Sequence, residues 1–237
     1  ARLRDGRGIS NVIRHNPRID EFKQRLRKLL QEDARQCRAI ELTKNASVYA
    51  AGEAGEAIYF IESGQIKLVM LSAEGKECLL AVLTEGDVFG ELCLSGLNER
   101  NESAIAMEKT VVRVIPCAQF FERLSRAALL EGFMLYLTVR IADQQTVITN
   151  LMTVDSEQRL GQTLLDLAQR LGKQDPRSIR IEQRLTHEEL AAMVGTTRPR
   201  ISEFMRRFRE MGLIEFSAER HLIVKEAKLR NYIDGVN

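Results

Sequence analysis

Between Leu185 and Phe216 the chain reads LTHEELAAMVGTTRPRISEFMRRFREMGLIEF, and from Arg198 to Arg209 it carries five arginines and one acid. A guanidinium can grip guanine O6 and N7 with two hydrogen bonds, and a carboxylate can accept from cytosine N4. On a helix, Arg198, Arg200, Ser202, Glu203, Arg206 and Arg207 lie on the outer faces, free to meet a duplex. This is the chemistry of reading a duplex rather than of breaking a bond. The sequence has no phosphate loop, no nucleophile elbow, no histidine-rich site and no paired carboxylates, so an enzyme is not expected.

Such side chains need a rigid rod to present them. Thr186 followed three residues later by Glu189 fits a capping box and predicts a first helix whose inner face is Leu190, Met193 and Val194. Gly195 supplies a positive-φ turn. Thr197 then caps a second helix, with Pro199 in its first turn, where a missing N–H does no harm. Ile201, Phe204, Met205 and Phe208 recur at helical spacing and are expected to be buried. Two apolar runs, Leu213–Phe216 and Leu222–Val224, flank a polar turn at Ser217–Arg220 and read as a hairpin, or wing. Arg220 and His221 at its tip either touch phosphate or simply face solvent. The two helices, the turn and the wing together predict a helix-turn-helix entering the major groove.

The net charge of +2 over 237 residues is nearly neutral, so the basic character is local. Residues 1–38 hold eleven Lys or Arg against five Asp or Glu, a helical arm able to assist binding to DNA or acidic lipid, or to be a solvated helix. No apolar run is long enough to span a bilayer. The cysteines at 37, 78, 93 and 117 lack metal-ligand or redox spacing, and reduced thiols in a cytoplasmic protein are the default. Histidines stand at 15, 187 and 221, which argues against a histidine-held haem or zinc in the middle of the chain, and no other metal is expected.

Apolar spacing predicts a helix over 18–36. From about Ile40, glycines recur at 52, 64, 75, 86 and 96, with β-type runs at Ala57–Ile61, Gln65–Leu71, Glu77–Leu83, Ser103–Met107 and Thr110–Ile115. That pattern indicates an antiparallel sandwich or roll. Leu130, Met134, Leu137, Ile141, Gln144, Ile148 and Leu151 then follow heptad spacing, predicting a long helix that either pairs with its copy in a second subunit, the favoured reading, or lies on its own β-domain. Asp155 or Ser156 caps a further helix, Glu157–Leu171, that buries Leu160, Leu164, Leu165, Leu167 and Ala168. Gly172–Ser178 reads as a loop and Ile179–Ile181 as a short strand. The expected segments are an arm over 1–38, a β-roll over 39–125, a dimerisation helix over 126–153 and a winged helix-turn-helix over 154–237. The fold class is α+β.

A glycine-punctuated β-roll, a heptad helix and a winged helix-turn-helix in that order resemble the bacterial CRP/FNR transcription regulators, named for the cyclic-AMP receptor protein. Phe89-Gly90-Glu91-Leu92 and Val194-Gly195-Thr196-Thr197-Arg198 carry the resemblance, which covers roughly residues 40–225. It implies a homodimer on palindromic double-stranded DNA, with RNA polymerase as a partner and no membrane. It also implies a cyclic-nucleotide-type pocket. In nucleotide-binding members a short helix after Gly-Glu-Leu turns its N–H groups toward the cyclic phosphate, the glutamate accepts from the ribose, and an Arg-Ser-Ala or Arg-Thr-Ala arginine meets the phosphate. Gly90, Glu91 and Leu92 keep the first part, followed directly by Cys93, and Ser103 and Ala104 keep the end of the second.

The arginine's place is taken by Glu102. A carboxylate facing phosphate in a partly buried pocket repels it, at a cost of roughly several kcal/mol. Arg100 is two residues earlier and either substitutes for the missing arginine or pairs with Glu102. Ordinary cyclic-AMP binding is therefore not expected. The domain binds another effector such as a cyclic dinucleotide, binds nothing, or senses redox state through Cys93. Cys78 and Cys117 read as core residues. The resemblance also places base contacts on Arg198, Pro199, Arg200, Ser202 and Glu203, with Arg206 and Arg207 nearer the backbone; here Pro199 stands in place of a glutamate and Glu203 in place of an arginine, so the half-site differs from that of the best-known members. The competing reading is a cyclic (di)nucleotide-binding module acting through protein partners instead of DNA.

Overall fold

Strands form where apolar and polar residues alternate between glycine turns, and a computed structural model shows how they pair. It describes residues 16–32, 37–71, 77–96, 99–176 and 178–235. Residues 1–15 of the expected arm and 33–36 of the expected first helix lie outside these.

The chain divides into two compact units. The first contains helix α1 (Pro17–Glu32) and eight strands, all but the first three residues of β5: β1 (Ala39–Leu42), β2 (Ser47–Tyr49), β3 (Ala57–Ser63), β4 (Gln65–Leu71), β5 (Glu77–Thr84), β6 (Val88–Phe89), β7 (Ser103–Ala106) and β8 (Thr110–Pro116). They make two four-stranded sheets, ordered β1-β8-β3-β6 and β2-β7-β4-β5. The described pairings in them are antiparallel. Five strands lie where the alternation placed them. The unforeseen ones, β1, β2 and β6, are short, and β1 and β2 are edge strands with little apolar signal. Ile61, Ile66, Leu68, Leu83, Phe89, Ala104 and Val112 form a core within the roll. Cys78 is exposed, contrary to expectation, because β5 is an edge strand whose first residues face solvent.

A second core forms where helices cover the roll. Ile19, Phe22, Leu26 and Leu30 of α1 are buried together with Ile58, Phe60, Val88 and Ile115 of the strands. So α1 is not a merely solvated helix: one face of it is core. The same core takes in Phe120 and Leu124 of α2 (Cys117–Arg126), a helix the sequence did not announce, and Phe133, Tyr136 and Val139 of α3 (Leu130–Thr153). Tyr136 is fully embedded: its hydroxyl donates to Val88 O at 3.1 Å and accepts from Val88 N at 3.1 Å. Burial, with Asp87 beside it, pushes this phenol far above its ordinary range.

Helix α3 is apolar on two sides. While Phe133, Tyr136 and Val139 face the roll, Met134, Ile141, Ile148 and Leu151 are exposed, as is Gln144. The expected heptad positions Leu130 and Leu137 are half-buried.

The second unit holds α4 (Ser156–Leu171), β9 (Gly172–Asp175), β10 (Ser178–Ile181), α5 (His187–Val194), α6 (Arg198–Glu210), β11 (Ile214–Phe216), β12 (Leu222–Val224) and α7 (Glu226–Gly235). Asp155 caps α4 by accepting from the Glu157 and Gln158 amides, and the expected leucines are buried. The sheet runs β11-β12-β10-β9. The expected loop at Gly172–Ser178 is in part strand β9. Its polar GKQD sequence hid it, since an edge strand can draw its order from backbone pairing with β10 alone. Gly161 lets α7 approach α4 closely: a Cβ there would stand 2.8 Å from Ile233 Cδ1.

Candidate functional site

In the second unit, α5 and α6 form the predicted pair. Thr186 caps α5 through a full capping box with Glu189. Gly195 ends it at φ +67°, and a Cβ there would lie 2.9 Å from Leu151 Cδ2. An L-residue in this left-handed conformation costs about 1–2 kcal/mol. Gly195→Ala is therefore expected to destabilise this unit by about that amount, read as an earlier transition in a denaturant melt followed by circular dichroism. Thr197 stands at the N-cap of α6, but its side chain makes no capping bond there, contrary to expectation. The turn is instead closed by Thr196 N donating to Ala191 O at 3.1 Å.

Helix α6 buries Ile201, Phe204, Met205 and Phe208. Arg198, Pro199, Arg200, Ser202, Glu203, Arg206 and Arg207 are exposed. They are not equivalent. Ser202 Oγ lies 2.8 Å from His187 Nδ1 and donates to Arg198 O at 3.1 Å, tying the two helices together. Arg206 pairs with Glu210 at 2.7 Å on the solvent side. Arg207 donates to Glu157 at 2.6 Å, a carboxylate whose side chain is only 15% exposed and which also accepts from Tyr232 Oη at 2.9 Å. Arg207 thus anchors α6 to α4 and α7. In the wing, Arg220 adopts φ +64° and is exposed, whereas His221 is half-buried with Nδ1 3.3 Å from Glu219.

The other candidate site lies in the roll. Gly90, at φ +78°, precedes a five-residue 3-10 turn, Glu91–Ser95. A Cβ on Gly90 would stand 2.9 Å from Arg100 Nη1 and 3.0 Å from Ala57 O, so only glycine lets the arginine in. Arg100 is 4% exposed. Its guanidinium donates to Gly90 O at 2.8 Å and Ala57 O at 2.5 Å, and its Cζ lies 4.4 Å from the centre of the Tyr49 ring. Its Nε is buried without a hydrogen-bond partner. Tyr49, Tyr59 and Phe89 cluster there, the last two stacked at 5.0 Å.

Glu102 is equally enclosed, at 5% exposed, and accepts from Tyr49 Oη at 2.9 Å. Burial, and then Glu102 itself, hold the Tyr49 phenol far above its ordinary range, so it stays a donor. Arg100 and Glu102 therefore meet through Tyr49, one over its ring and one at its hydroxyl. Residues 100–102 are not an extended strand: Arg100 N donates to Glu53 O and Gly52 N to Arg100 O, and β7 starts at Ser103. Glu91 is paired with Arg140 of α3 at 2.8 Å, both side chains 18% exposed, and Arg140 also donates to Val88 O at 2.9 Å. Ser103 Oγ accepts from Ala51 N at 3.0 Å, Ala104 is in the roll core, Leu92 is exposed and Cys93 half-buried.

Comparison with known proteins agrees with both halves. Residues 39–127 match the model of the cyclic nucleotide-binding domain, and residues 158–232 that of the Crp-like helix-turn-helix domain. The chain belongs to the CRP/FNR family of transcription regulators. It is 29% identical over 198 residues to a CRP-like cAMP-activated global transcriptional regulator of Mycobacterium tuberculosis, covering 82% of this chain and 88% of that protein. It is 28% identical over 180 residues to a global nitrogen regulator of Synechocystis, covering 75% and 80%. The structure of a CooA variant from Carboxydothermus hydrogenoformans superposes with a TM-score of 0.68 at 26% identity, covering 85% of this chain and 90% of that one. The protein is a DNA-binding transcription regulator with a cyclic-nucleotide-binding-type domain.

Within this CRP/FNR regulator, sequence reasoning missed several residues at the two sites. Tyr49 and Tyr59 flank the Arg100 guanidinium, Arg140 pairs with Glu91, and His187 and Glu157 hold α6. None stands in a short motif; each is identified only by what folds against it. Among the described residues, no helix is long and apolar enough to cross a membrane.

Proposed function

We propose that this CRP/FNR regulator works as a homodimer that reads an inverted repeat, with one copy of α6 in each major-groove half-site. The outward face of α6 carries the reading. Arg198, Arg200 and Glu203 are exposed on it while Ile201, Phe204, Met205 and Phe208 hold the helix from behind. Pro199 starts the rod, and Ser202 serves both as a base-edge group and as the link to His187. Arg206 supplies backbone charge. Arg207, tied to Glu157, acts as a positioning residue that sets the angle of the rod.

The roll pocket is proposed as the control site, with Arg100 in place of the missing phosphate arginine. Its guanidinium already has two carbonyl partners and an aromatic platform, and Glu102 presents negative charge across Tyr49. Ordinary cyclic-AMP binding conflicts with both features. Relatives of nearly equal similarity are named as a cAMP-activated regulator and as nitrogen regulators, so family membership does not fix the effector. A cyclic dinucleotide, which offers a second phosphate, suits a displaced arginine better.

Selection of bound DNA from a random pool, with and without cyclic mononucleotides and cyclic dinucleotides, tests the half-site, the symmetry and the effector together. Recovery of a non-palindromic site would refute the two-fold reading. Tight cyclic-AMP binding would refute the pocket reading. On the selected site, Arg200→Ala and Glu203→Ala should each lose about 1–3 kcal/mol of discrimination at one base pair. Arg206→Ala should weaken specific and random DNA alike and lower the salt slope by about one. Footprinting and salt titration of the three variants separate the roles, and equal losses on both kinds of DNA for all three would show that no such division exists.

A further inference from the structure

Glu203 is the one acid between Arg198 and Arg209, and a carboxylate reads cytosine only while an oxygen is free to accept from N4. A cation stands close enough to fill it. Arg207, one turn further along α6, places Nη2 3.5 Å from Glu203 Oε1. Acid and base at this spacing on a helix attract each other. Here the pair stays open. The same guanidinium donates from Nη1 to Glu157 Oε2 at 2.6 Å, and 3.5 Å is too long for a strong hydrogen bond.

Glu157 is placed to hold that guanidinium. It stands in the first turn of α4, where the helix dipole favours a carboxylate, and its amide donates to the Asp155 cap at 2.8 Å. Its other oxygen, Oε1, accepts from Tyr232 Oη at 2.9 Å, so each oxygen has its own partner. Burial, and then that hydrogen bond, raise the Tyr232 phenol above its ordinary range, so it remains a donor. Tyr232 is fixed in turn. Leu229 and Ile233, on either side of it in α7, are buried, and the ring of Phe208 meets it edge-on at 5.7 Å. The Glu157 side chain is 15% exposed against 54% for Glu203, so water screens the Glu157 pair less.

We propose that Glu157 and Tyr232 are positioning residues for base reading: they draw the Arg207 cation off Glu203 and leave that carboxylate free to accept from a base edge. The inference rests on α6 being the reading helix. Without the Glu157 charge, the guanidinium closes on Glu203 across the remaining gap. The carboxylate is then occupied by a charge-assisted hydrogen bond, and a cytosine N4 donor must displace it to be read. Tyr232 acts one step further back, by holding Glu157 with Oε2 turned toward Arg207.

The test compares five forms of the full chain by gel shift: the parent, Glu203→Ala, Glu157→Gln, Tyr232→Phe, and Glu157→Gln combined with Arg207→Gln. The probes are the site selected from the random pool and the same site changed at the base pair where Glu203→Ala loses discrimination. Glu157→Gln should lower discrimination at that pair by about tenfold. Tyr232→Phe keeps the ring and every charge, should lower it by about threefold, and carries the test should Glu157→Gln fold poorly. Adding Arg207→Gln to Glu157→Gln should restore discrimination, because the cation that fills Glu203 is gone. A mere brace between helices predicts the reverse, with the double variant no better than the single one. Glu203→Ala with no loss at any base pair would refute the base-reading role of Glu203, and the inference with it. If Glu203→Ala does lose a pair, the inference alone is overturned in either of two cases. In one, Glu157→Gln and Tyr232→Phe keep the parent's discrimination; in the other, the double variant stays as poor as Glu157→Gln.

Discussion

Ile141→Asp combined with Ile148→Asp is expected to convert the regulator to a monomer and to lower its affinity for an inverted repeat by about 10²–10⁴-fold. Both isoleucines are exposed on α3, at 54% and 59%, on a helix whose other side already contributes Phe133, Tyr136 and Val139 to the core. A helix that is apolar on both sides has a second surface to cover. Met134, Leu151 and Met152 extend that surface along the helix, with Met152 84% exposed. Burying an isoleucine side chain is worth about 1.5–3 kcal/mol. The substitution removes two of them from each protomer and sets aspartates facing aspartates across a two-fold axis. Half-sites that had been read by one linked object are then read by two separate ones, and the affinity gained from linkage is lost. Analytical ultracentrifugation gives the mass and gel shift on a full and a half repeat gives the affinities. A double variant that stays dimeric would remove α3 as the interface. One that becomes monomeric yet binds the full repeat as tightly as before would show that dimerisation is irrelevant to reading.

The parts legible in the sequence were those written in neighbouring residues. Thr186 with Glu189, Gly195 and the spacing Ile201, Phe204, Met205, Phe208 each state a local geometry, and α5 and α6 follow from them. The same holds for strands bounded by glycine and for the leucines of α4. Pairings between distant segments were not legible. Arg100 could be named as a substitute, but its pose needs Tyr49 from β2, Ala57 from β3 and the carbonyl of Gly90. Glu91 could be named as a ribose acceptor, and only the fold brings Arg140 to it. Helix α2 escaped notice because Pro116 at its N-cap makes no side-chain capping bond to announce it. That omission also hid Cys117, which read as strand core while in fact it begins the helix and is half-buried. The reading head was thus clear from sequence because one short segment encodes it, and the pocket was not because five segments share it.

The head depends on a residue buried behind its reading face. Phe208→Ala is expected to unfold the winged unit at physiological temperature and to abolish DNA binding, with the β-roll still formed. Phe208 is fully buried on the inner face of α6, with its ring edge-on to Tyr232 of α7 at 5.7 Å between centres. Tyr232 donates to Glu157 of α4, and Glu157 takes Arg207, so one ring lies beneath the network that joins three helices. Truncating a buried phenylalanine costs about 3–5 kcal/mol through lost burial and the cavity left behind. The stability of an ordinary domain is about 5–15 kcal/mol, and at the lower end of that range little or none remains. Phe208→Leu fills most of the space and should retain binding, which separates packing from any direct part in recognition. Melts followed by far-ultraviolet circular dichroism, with amide exchange to assign the transition, give the readout. Rapid exchange in 156–235 beside protected amides in the roll is the expected pattern. A Phe208→Ala protein that melts like the parent would mean that α6 is held by its ion pairs, and then Arg207→Ala, which breaks the link to Glu157, should be the variant that loses the head.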